Sequence, residues 1–173
     1  AVLRTVVGTK KRAGRDTSIR RLNRKYPGVH PGSRRKYTSS WAVYVDQSGS
    51  VSDENLGLLF GELSNLAKRT EFDVYYFDTQ VDVENMVKWK KGQSINPKRT
   101  RCGGTDFQAP TKHAHKNADK YDGYIILTDG YAPKPDPARL RRVWVITVDG
   151  EMQFPAQGDV VIKMKREAKS EAA

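Results

Sequence analysis

Three short polar motifs combine acidic and hydroxyl side chains at spacings that suit a divalent cation. The first is Asp46, Ser48 and Ser50, an Asp-x-Ser-x-Ser pattern directly after an apolar run. The second contributes Thr105, in the run CGGTD, and the third contributes Asp129, in the run LTDG. Mg²⁺ prefers oxygen ligands in near-octahedral geometry, which hydroxyls and carboxylates supply. The five residues therefore predict a cation site, with Mg²⁺, Mn²⁺ or Ca²⁺ as the candidate ion.

The motifs lie where predicted elements end. The apolar run 41–46 predicts a strand that ends at the first acid, and 122–129 predicts a buried strand that ends at the third motif. Ligands bind at the carboxyl ends of strands in open α/β sheets. The two glycines before Thr105 allow a loop backbone to pass close to such a site. We therefore expect all three motifs at one edge of the sheet.

Alternating β-rich and helical stretches from residue 41 onward predict an α/β domain with a mainly parallel sheet. Only Thr79 and Gln80 separate two of the predicted strands, so an antiparallel edge hairpin is expected there. At most a short helix is expected at 138–142. The predicted strands are 41–46, 72–78, 81–89, 122–129, 143–148 and 159–164, and the predicted helices are 53–69 and 107–120.

Charge divides the chain of 173 residues unevenly. Residues 1–40 hold twelve Lys or Arg against one acid, whereas residues 41–173 hold nineteen of each sign. We accordingly divide the chain into a basic, largely extended N-terminal arm at 1–40, a folded domain at 41–164 and a polar tail at 165–173.

The basic arm has two interpretations. Its Lys and Arg clusters are interleaved with Tyr26, His30 and Tyr37, a composition that suits the phosphate backbone of a nucleic acid. The alternative is a solvated linker, or a segment wrapped on an acidic protein. Prolines and glycines between 27 and 33 argue against a continuous helix there.

Membrane insertion is not expected. No apolar run approaches the roughly 18 to 20 residues needed to span a bilayer, and the start of the chain lacks the apolar core of a secretory signal. The single Cys102 cannot form an internal disulfide. These features predict a cytoplasmic protein, or a virion component if the chain belongs to a phage.

Two histidines and the cysteine invite chemistry that the sequence does not support. His113 and His115 are two apart on a predicted helix and point to different faces, which favours a solvated surface pair over a zinc site. Cys102 stands near Arg99 and Arg101, but no base partner is evident for a catalytic thiol.

Four further acids have structural interpretations. Asp106 is expected to cap the helix that begins near residue 107. Asp78, Asp82 and Glu84 lie at the predicted hairpin, where we expect them at the opposite or outer edge of the sheet with solubility as their role.

In this order and spacing, DQSGS, GGTD and LTDG resemble the metal-ion-dependent adhesion site of von Willebrand factor A (VWA) domains. The resemblance implies a three-layer, Rossmann-like VWA fold. It also implies that Ser48, Ser50 and Thr105 contact the metal directly, while Asp46 and Asp129 act largely through water. The longer runs DQSGSVSDENL, RCGGTDF, YIILTDGY and VWVITVDG resemble the C-terminal VWA-like domain of certain prokaryotic and phage proteins that carry a metallopeptidase name.

Two departures limit what the resemblance implies. Gln47 stands where Thr is commoner, and no HExxH zinc-peptidase motif occurs in the chain, so peptidase activity is not expected. What remains implied is a metal site for a carboxylate-bearing partner and, as a possible partner, an AAA+ ATPase of the MoxR type.

Binding is favoured over catalysis. Phosphodiester hydrolases with metals at strand ends usually collect three or four carboxylates, whereas this set is rich in hydroxyls. The sequence thus predicts a metal-dependent protein-binding module within a larger complex, and not an enzyme. The alternative is a structural component of a nucleoprotein or phage assembly that contacts nucleic acid through its basic arm.

Overall fold

The computed structural model of the chain contains one large sheet and one small one. Cys102, Arg99 and Arg101, and most of the predicted polar tail, lie outside the residues that it describes. Those residues are 12–23, 25–28, 30–38, 40–68, 70–90, 92–93, 103–155 and 158–165.

The elements of the described residues follow the predicted alternation of strands and helices. In chain order they are β1 (Arg12–Leu22), β2 (Pro31–Thr38), β3 (Trp41–Asp46), α1 (Asp53–Ala67), β4 (Phe72–Phe77), β5 (Val81–Trp89), α2 (Gln108–Lys116), β6 (Gly123–Thr128), β7 (Arg141–Ile146) and β8 (Val160–Lys163).

The large sheet has six strands in the order β5-β4-β3-β6-β7-β8. Strand β3 pairs in parallel with β4 and β6, and the parallel pairing continues from β6 through β7 to β8. Strand β5 runs antiparallel to β4, so the predicted edge hairpin through Thr79 and Gln80 is confirmed. Because β3, β4, β6 and β7 are parallel, their carboxyl ends meet at one edge of the sheet. We call it the carboxyl edge.

Helices cover both faces of this sheet. Trp41, Val43 and Val45 of β3 belong to a buried cluster with the apolar side chains of α1. Ala42 and Tyr44, which alternate with them, belong to a second cluster that includes Ala114 of α2. All six residues of β3 are buried, as expected of a parallel strand covered on both sides. The fold is therefore the expected three-layer α/β arrangement.

Helix α1 begins where the sequence places its start. The Ser52 hydroxyl accepts a 3.2 Å hydrogen bond from the backbone N–H of Asn55, and Asp53 and Glu54 lie in the first turn. Such a capping hydroxyl and acidic first turn stabilise the amino end of a helix. The helix thus starts seven residues after β3 ends, and the first cation motif occupies the connection.

The segment between β6 and β7 differs from the prediction. Residues 129–140 contain no helix, and β7 begins at Arg141 rather than at residue 143. Arg142 explains the difference, because its buried guanidinium donates to Asp159 Oδ2 at 2.6 Å and to the Asp136 carbonyl at 3.0 Å. These contacts need Arg142 in the extended strand and are not available from a short helix.

The helix ends also differ by a few residues. Helix α1 ends at Ala67 and α2 at Lys116, with residues 117–120 in turns instead of the predicted final helical turn. Asn117 Nδ2 donates to the His113 carbonyl at 2.9 Å, and this side-chain bond takes an acceptor of the last turn. Neither described helix has the length and apolarity that crossing a membrane requires.

The basic arm contains a pair of strands. Within the predicted extended segment, β1 and β2 form an antiparallel two-stranded sheet, with Arg12 opposite Thr38 and Ser18 opposite Gly32. The turn between them includes Gly28, whose φ of 80° is readily adopted only by glycine. The sequence analysis predicted extended chain here but not the strand pairing.

Candidate metal centre

The first motif forms a compact turn at the end of β3. Asp46 is the last residue of that strand, and its Oδ1 accepts a 2.9 Å hydrogen bond from the backbone N–H of Ser48. This bond closes a local Asx turn. The hydroxyl oxygens of Ser48 and Ser50 are 3.0 Å apart. Asp46 and Ser48 are buried and Ser50 is exposed, so the hydroxyl pair runs from the interior to the surface.

Thr128, the last residue of β6, links the first motif to the third. Its hydroxyl donates to Asp46 Oδ2 at 2.6 Å and lies 3.4 Å from Asp129 Oδ1. A hydroxyl has one proton, and the shorter contact marks Asp46 as its acceptor. The Thr128 oxygen also accepts from the Gly130 N–H at 3.1 Å. One buried hydroxyl thus fixes the relative positions of both motifs.

The two carboxylate oxygens of Asp129 differ in their hydrogen bonding. Oδ1 accepts from the backbone N–H of Tyr131 at 3.2 Å. Oδ2 is buried and has no hydrogen-bond partner among the described residues, and the same is true of Thr147 Oγ1 at the end of β7. A buried carboxylate oxygen normally has a partner. A bound cation would give this oxygen a partner.

The segment that carries Thr105 is attached to the same edge. The backbone N–H of Asp106 donates to the Asp78 carbonyl at 3.0 Å, directly after β4. A Cβ on Gly103 would come within 3.1 Å of Asp78 Oδ2, so glycine permits this close approach. Thr105 is half-buried in this segment. The other four predicted residues, Asp46, Ser48, Ser50 and Asp129, are connected by hydrogen bonds to one another or through Thr128. Thr105 makes no such bond in the described contacts, and it is held at the carboxyl edge by the bond of its neighbour Asp106 to Asp78.

The expectation for Asp78 was therefore wrong. Because β4 is parallel to β3, with Phe77 opposite Asp46, the following residue Asp78 lies at the carboxyl edge and not at the opposite or outer one. The Gln47 N–H also donates to the Phe77 carbonyl at 3.0 Å. The sequence correctly placed Asp78 at the end of β4, but it did not show that this end lies at the same edge of the sheet as Asp46.

Two glycines bring the loops after β6 and β7 into backbone contact. A Cβ on Gly150 would lie 2.3 Å from the Asp129 carbonyl oxygen, and one on Gly130 would lie 2.5 Å from the Glu151 carbonyl oxygen. Gly130 also has a φ of 91°, which side-chain-bearing residues rarely adopt. The backbone at Asp129 is thus held from two sides.

The charges of this edge are poorly balanced by the protein. Burial raises the pKa of Asp46, hydrogen bonds from Thr128 and Ser48 lower it, and the neighbouring charge of Asp129 raises it further. Neither carboxylate forms a salt bridge with another described residue. Buried charges are normally paired or bind metals. The oxygen ligands therefore fit a hard divalent cation, which would balance both aspartates.

The two histidines of α2 have roles that the sequence did not indicate. His113 Nδ1 is 2.8 Å from the Tyr44 hydroxyl, and its ring packs edge-on against Tyr75 at 4.7 Å between centroids. His115 Nε2 accepts from the Arg139 N–H at 3.0 Å. They diverge as expected, but they are not a solvated pair. In the described residues, no three His, Cys, Asp or Glu side chains form a group suited to a metal ion.

The remaining acids divide between confirmed and corrected expectations. Asp106 Oδ1 accepts from the Gln108 N–H at 2.9 Å, a capping bond at the start of α2, although the formal N-cap residue is Phe107. Asp82 is buried and accepts from the backbone and side-chain nitrogens of Asn85 at 3.1 and 2.8 Å. Its role is therefore structural and not solubility, whereas Glu84 is exposed as expected.

The sequence analysis gave no role to Thr128 or Thr147. Both residues are buried, Thr128 as the last residue of β6 and Thr147 directly after β7. A buried hydroxyl needs a hydrogen-bond partner, so a threonine directly after a run of apolar strand residues is the signal that could have indicated them. Thr128 uses its hydroxyl to position Asp46, and Thr147 adds a second oxygen without a described partner to this side of the sheet.

The sheet with a helix on each face, together with the loops at its carboxyl edge, defines a Rossmann-like α/β domain with a candidate cation site. The model of the VWA-like domain (DUF2201) family matches residues 41–165, so the chain belongs to this family. An uncharacterized protein of Thermotoga maritima is 27% identical over 146 residues, which are 84% of this chain and 36% of that protein. The chain thus spans little more than a third of this relative's length.

Two solved structures resemble the chain distantly. The ArnB paralog VWA2 from Sulfolobus acidocaldarius has a TM-score of 0.49 and 20% identity, with 66% of this chain and 35% of that chain covered. An aerotolerance-related membrane protein from Bacteroides fragilis has a TM-score of 0.48 and 13% identity, with 70% and 75% covered. At these scores neither structure bears on the function of the site.

Proposed function

We propose that the domain is a metal-dependent protein-binding module, in which a Mg²⁺ ion at the carboxyl edge captures a carboxylate of a partner protein. Mn²⁺ and Ca²⁺ are the alternative ions. The observation that carries the proposal is the buried Asp129 Oδ2, which has no described hydrogen-bond partner and lies in the loop that Thr128 ties to Asp46. Cation binding there would satisfy the oxygen and balance the charge.

The ligand set suits capture of an outside oxygen. Ser48, Ser50 and Thr105 would supply neutral hydroxyls, and Asp46 and Asp129 would supply the only two carboxylates of the set. A divalent ion held this way keeps net positive charge and affinity for a further anionic oxygen, which is the chemistry that the metal contributes. An Asp or Glu side chain of a partner fits that requirement.

The surface around the site is open to a partner on one side. Gly49 and Ser50 are exposed, while Asp46 and Ser48 behind them are buried. Tyr131 follows Asp129 closely and leaves 50% of its surface exposed. Exposed aromatic side chains are frequent anchors in protein interfaces. Tyr131 would contact residues that flank the captured carboxylate.

Binding is favoured over catalysis by the same residues. The candidate set includes two carboxylates and three hydroxyls, and the half-buried His113 is hydrogen-bonded to Tyr44 on another part of the fold. Both carboxylates of the set would be engaged by the cation, which leaves no histidine and no further carboxylate in the set to act as a general base. An AAA+ ATPase of the MoxR type is the partner class that we would test first.

The experiment measures binding of this chain to a purified MoxR-type ATPase by interferometry, in Mg²⁺ and after EDTA. We expect binding to require Mg²⁺ and to be lost in Asp46→Ala and in Ser50→Ala. Ser50 is exposed and bonded only to Ser48 in the described contacts, so its variant should fold even if Asp46→Ala does not. Binding that persists in EDTA contradicts metal dependence. Absence of binding by the wild type in Mg²⁺ removes this partner class.

A further inference from the structure

The two edge strands of the large sheet differ in how far they are open to a further strand. The register of β5 on β4 shifts between Val74 and Tyr76, so β5 carries a bulge. Bulges protect an edge strand against pairing with another chain. Strand β8, by contrast, pairs with β7 in regular register along its whole length. Among the described residues, no strand pairs with the outer side of β8. This edge is therefore suited to accept a strand from outside.

The backbone groups of alternate residues of β8 point away from β7. The N–H of Met164 donates to the Ile146 carbonyl at 2.9 Å, and the residue opposite Ile146 is Lys163. In a parallel pair with this register, the N–H and C=O groups of Ile162 are also directed toward β7, whereas those of Val161 and Lys163 are directed outward. A strand added at this edge would therefore form its hydrogen bonds with those two residues.

The side chains at this edge combine an apolar centre with opposite charges on either side. Val161 is 42% exposed and Lys163 is also exposed, and both share a face of β8 with Asp159 because successive side chains alternate. Asp159 Oδ2 accepts from Arg142 Nε at 2.6 Å and from Trp144 Nε1 at 2.9 Å. Asp159 Oδ1 has no hydrogen bond in the described contacts, so it can accept from a further cation.

This edge is complementary to itself when two copies run antiparallel. A two-fold axis through Val161 brings the outward-facing backbone groups of the two strands together as hydrogen-bonded pairs. It places Asp159 opposite Lys163 of the second copy, and the two copies of Val161 opposite each other. Opposite charges and paired β-branched side chains stabilise an antiparallel pair. Each neighbouring register, centred on residue 160, 162 or 163, sets Val161 against a charged side chain instead.

We propose that two copies of the chain pair antiparallel through β8, with Val161 on the two-fold axis, and so form a dimer with one continuous sheet. The bulge in β5 at the far edge would stop further strand addition, so the assembly closes at two copies. Because the paired strands run in opposite directions, the two carboxyl edges face opposite ways. If the cation site acts as proposed, the dimer would join two partner molecules.

The first experiment is sedimentation equilibrium of the whole chain over a wide range of protein concentration, in EDTA so that the cation site does not contribute. We expect a reversible equilibrium between monomer and dimer. Val161→Lys places two lysines on the axis and should weaken the dimer about tenfold or more. The matched control Val83→Lys makes the same change at an exposed valine of β5 and should leave the equilibrium unchanged. A wild type that stays monomeric at its highest soluble concentration overturns the proposal.

A charge reversal tests the register independently of the valine. Lys163→Glu would set an acid opposite Asp159 of the second copy at two places, so we expect a weaker dimer than that of the wild type. Lys163 is exposed, so this variant should fold even if Val161→Lys does not. Lys112→Glu makes the same charge change at an exposed position of α2 and is the control. A dimer unchanged by Lys163→Glu contradicts the proposed pairing.

Amide hydrogen exchange, measured by NMR at several protein concentrations, distinguishes pairing through β8 from any other contact. The N–H groups of Ile162 and Met164 are directed toward β7 and should be protected at every concentration. Those of Val161 and Lys163 should become protected only as the dimer forms. Protection of these two at every concentration would show that another segment of the same chain covers the edge. Their free exchange in the dimer would place the interface elsewhere, and either result overturns the proposal.

Discussion

The hydroxyl of Thr128 lies 2.6 Å from Asp46 Oδ2 and donates its proton to it, although the two residues are 82 positions apart in the chain. Strands β3 and β6 are parallel neighbours, so their ends meet. This bond leaves Asp46 Oδ1 to the backbone of Ser48 and directs the Asp46 carboxylate toward the Asp129 loop. Asp46, the first residue of the first motif, is therefore oriented by Thr128, which belongs to the third motif, LTDG.

Substitution of Thr128 should weaken cation binding without touching a proposed ligand. Thr128→Val removes the donor to Asp46 and the acceptor of the Gly130 N–H, so we expect Mg²⁺ affinity to fall about tenfold or more. The unfolding free energy should fall by about 1–3 kcal/mol, since a buried N–H is left unsatisfied. Calorimetric titration and urea denaturation measure the two effects. Thr128→Ser keeps the hydroxyl and should restore most of the affinity. A folded Thr128→Val variant with unchanged affinity would refute the positioning role.

Neutralising Asp129 should separate metal binding from folding. In EDTA we expect Asp129→Asn to be at least as stable as the wild type, because one of two neighbouring buried carboxylates is gone. Mg²⁺ at about one hundred times its dissociation constant should stabilise the wild type by about 2.7 kcal/mol and the variant not at all. Thermal denaturation with and without Mg²⁺ measures this difference. Glu62→Gln, an equal charge change on the exposed side of α1, should respond to Mg²⁺ as the wild type does.

The close contact at Gly150 should make that residue intolerant of a side chain. A Cβ there would meet the Asp129 carbonyl oxygen at 2.3 Å, so Gly150→Ala should cost about 1–3 kcal/mol of unfolding free energy and weaken Mg²⁺ binding. Gly57 offers a matched control, since a Cβ there meets nothing within 4 Å and the residue lies within α1. Gly57→Ala should stabilise the domain by about 0.5–1 kcal/mol. Urea denaturation of both variants tests the contrast, which equal effects would contradict.

The environment of His113 predicts a loss of stability in mild acid. Burial lowers the pKa of His113, and the positive charges of Lys120 and Lys116 lower it further. The unfolded chain, with a histidine pKa of about 6.5, therefore takes up the proton more readily than the folded one. This contribution to stability is complete above pH of about 6.5 and declines as the pH falls toward the lower folded-state pKa.

His113→Gln removes this titration while keeping a side chain able to accept from the Tyr44 hydroxyl. Urea midpoints between pH 7.5 and 5.5 should fall less steeply for the variant than for the wild type. Part of the slope should remain, because burial also lowers the pKa of His115. Parallel curves for His113→Gln and the wild type would exclude this role.

The main sheet could be predicted from sequence because its signals are local. Runs of apolar residues mark β3 and β6 as strands buried on both faces, and polar residues mark where they end. The two-residue connection at Thr79 and Gln80 specifies the hairpin. Four of the five proposed ligands lie at these strand ends or in the turn after β3, so strand prediction also positioned most of the candidate site.

Features that depend on which residues meet across the fold could not be predicted. The contact of His113 with Tyr44 depends on the packing of α2 against β3, and a sequence shows only that the histidine lies on a helix. Asp78 was misplaced because the direction of β4 in the sheet decides which edge it occupies. The β1–β2 pairing has no apolar alternation to indicate it.

The close approach of Gly130 to the backbone of Glu151, and of Gly150 to that of Asp129, has a consequence for variation within the family. The loops after β6 and β7 fit together at these two glycines without side chains between them, so the contact segments 129–130 and 150–151 cannot be exchanged between relatives one at a time. Changes of binding preference are then most readily made just beyond the contact, where Tyr131, Pro133 and Lys134 face solvent. Chimeric domains that transplant residues 131–137 alone should fold, whereas those that transplant residues 129–130 alone should not.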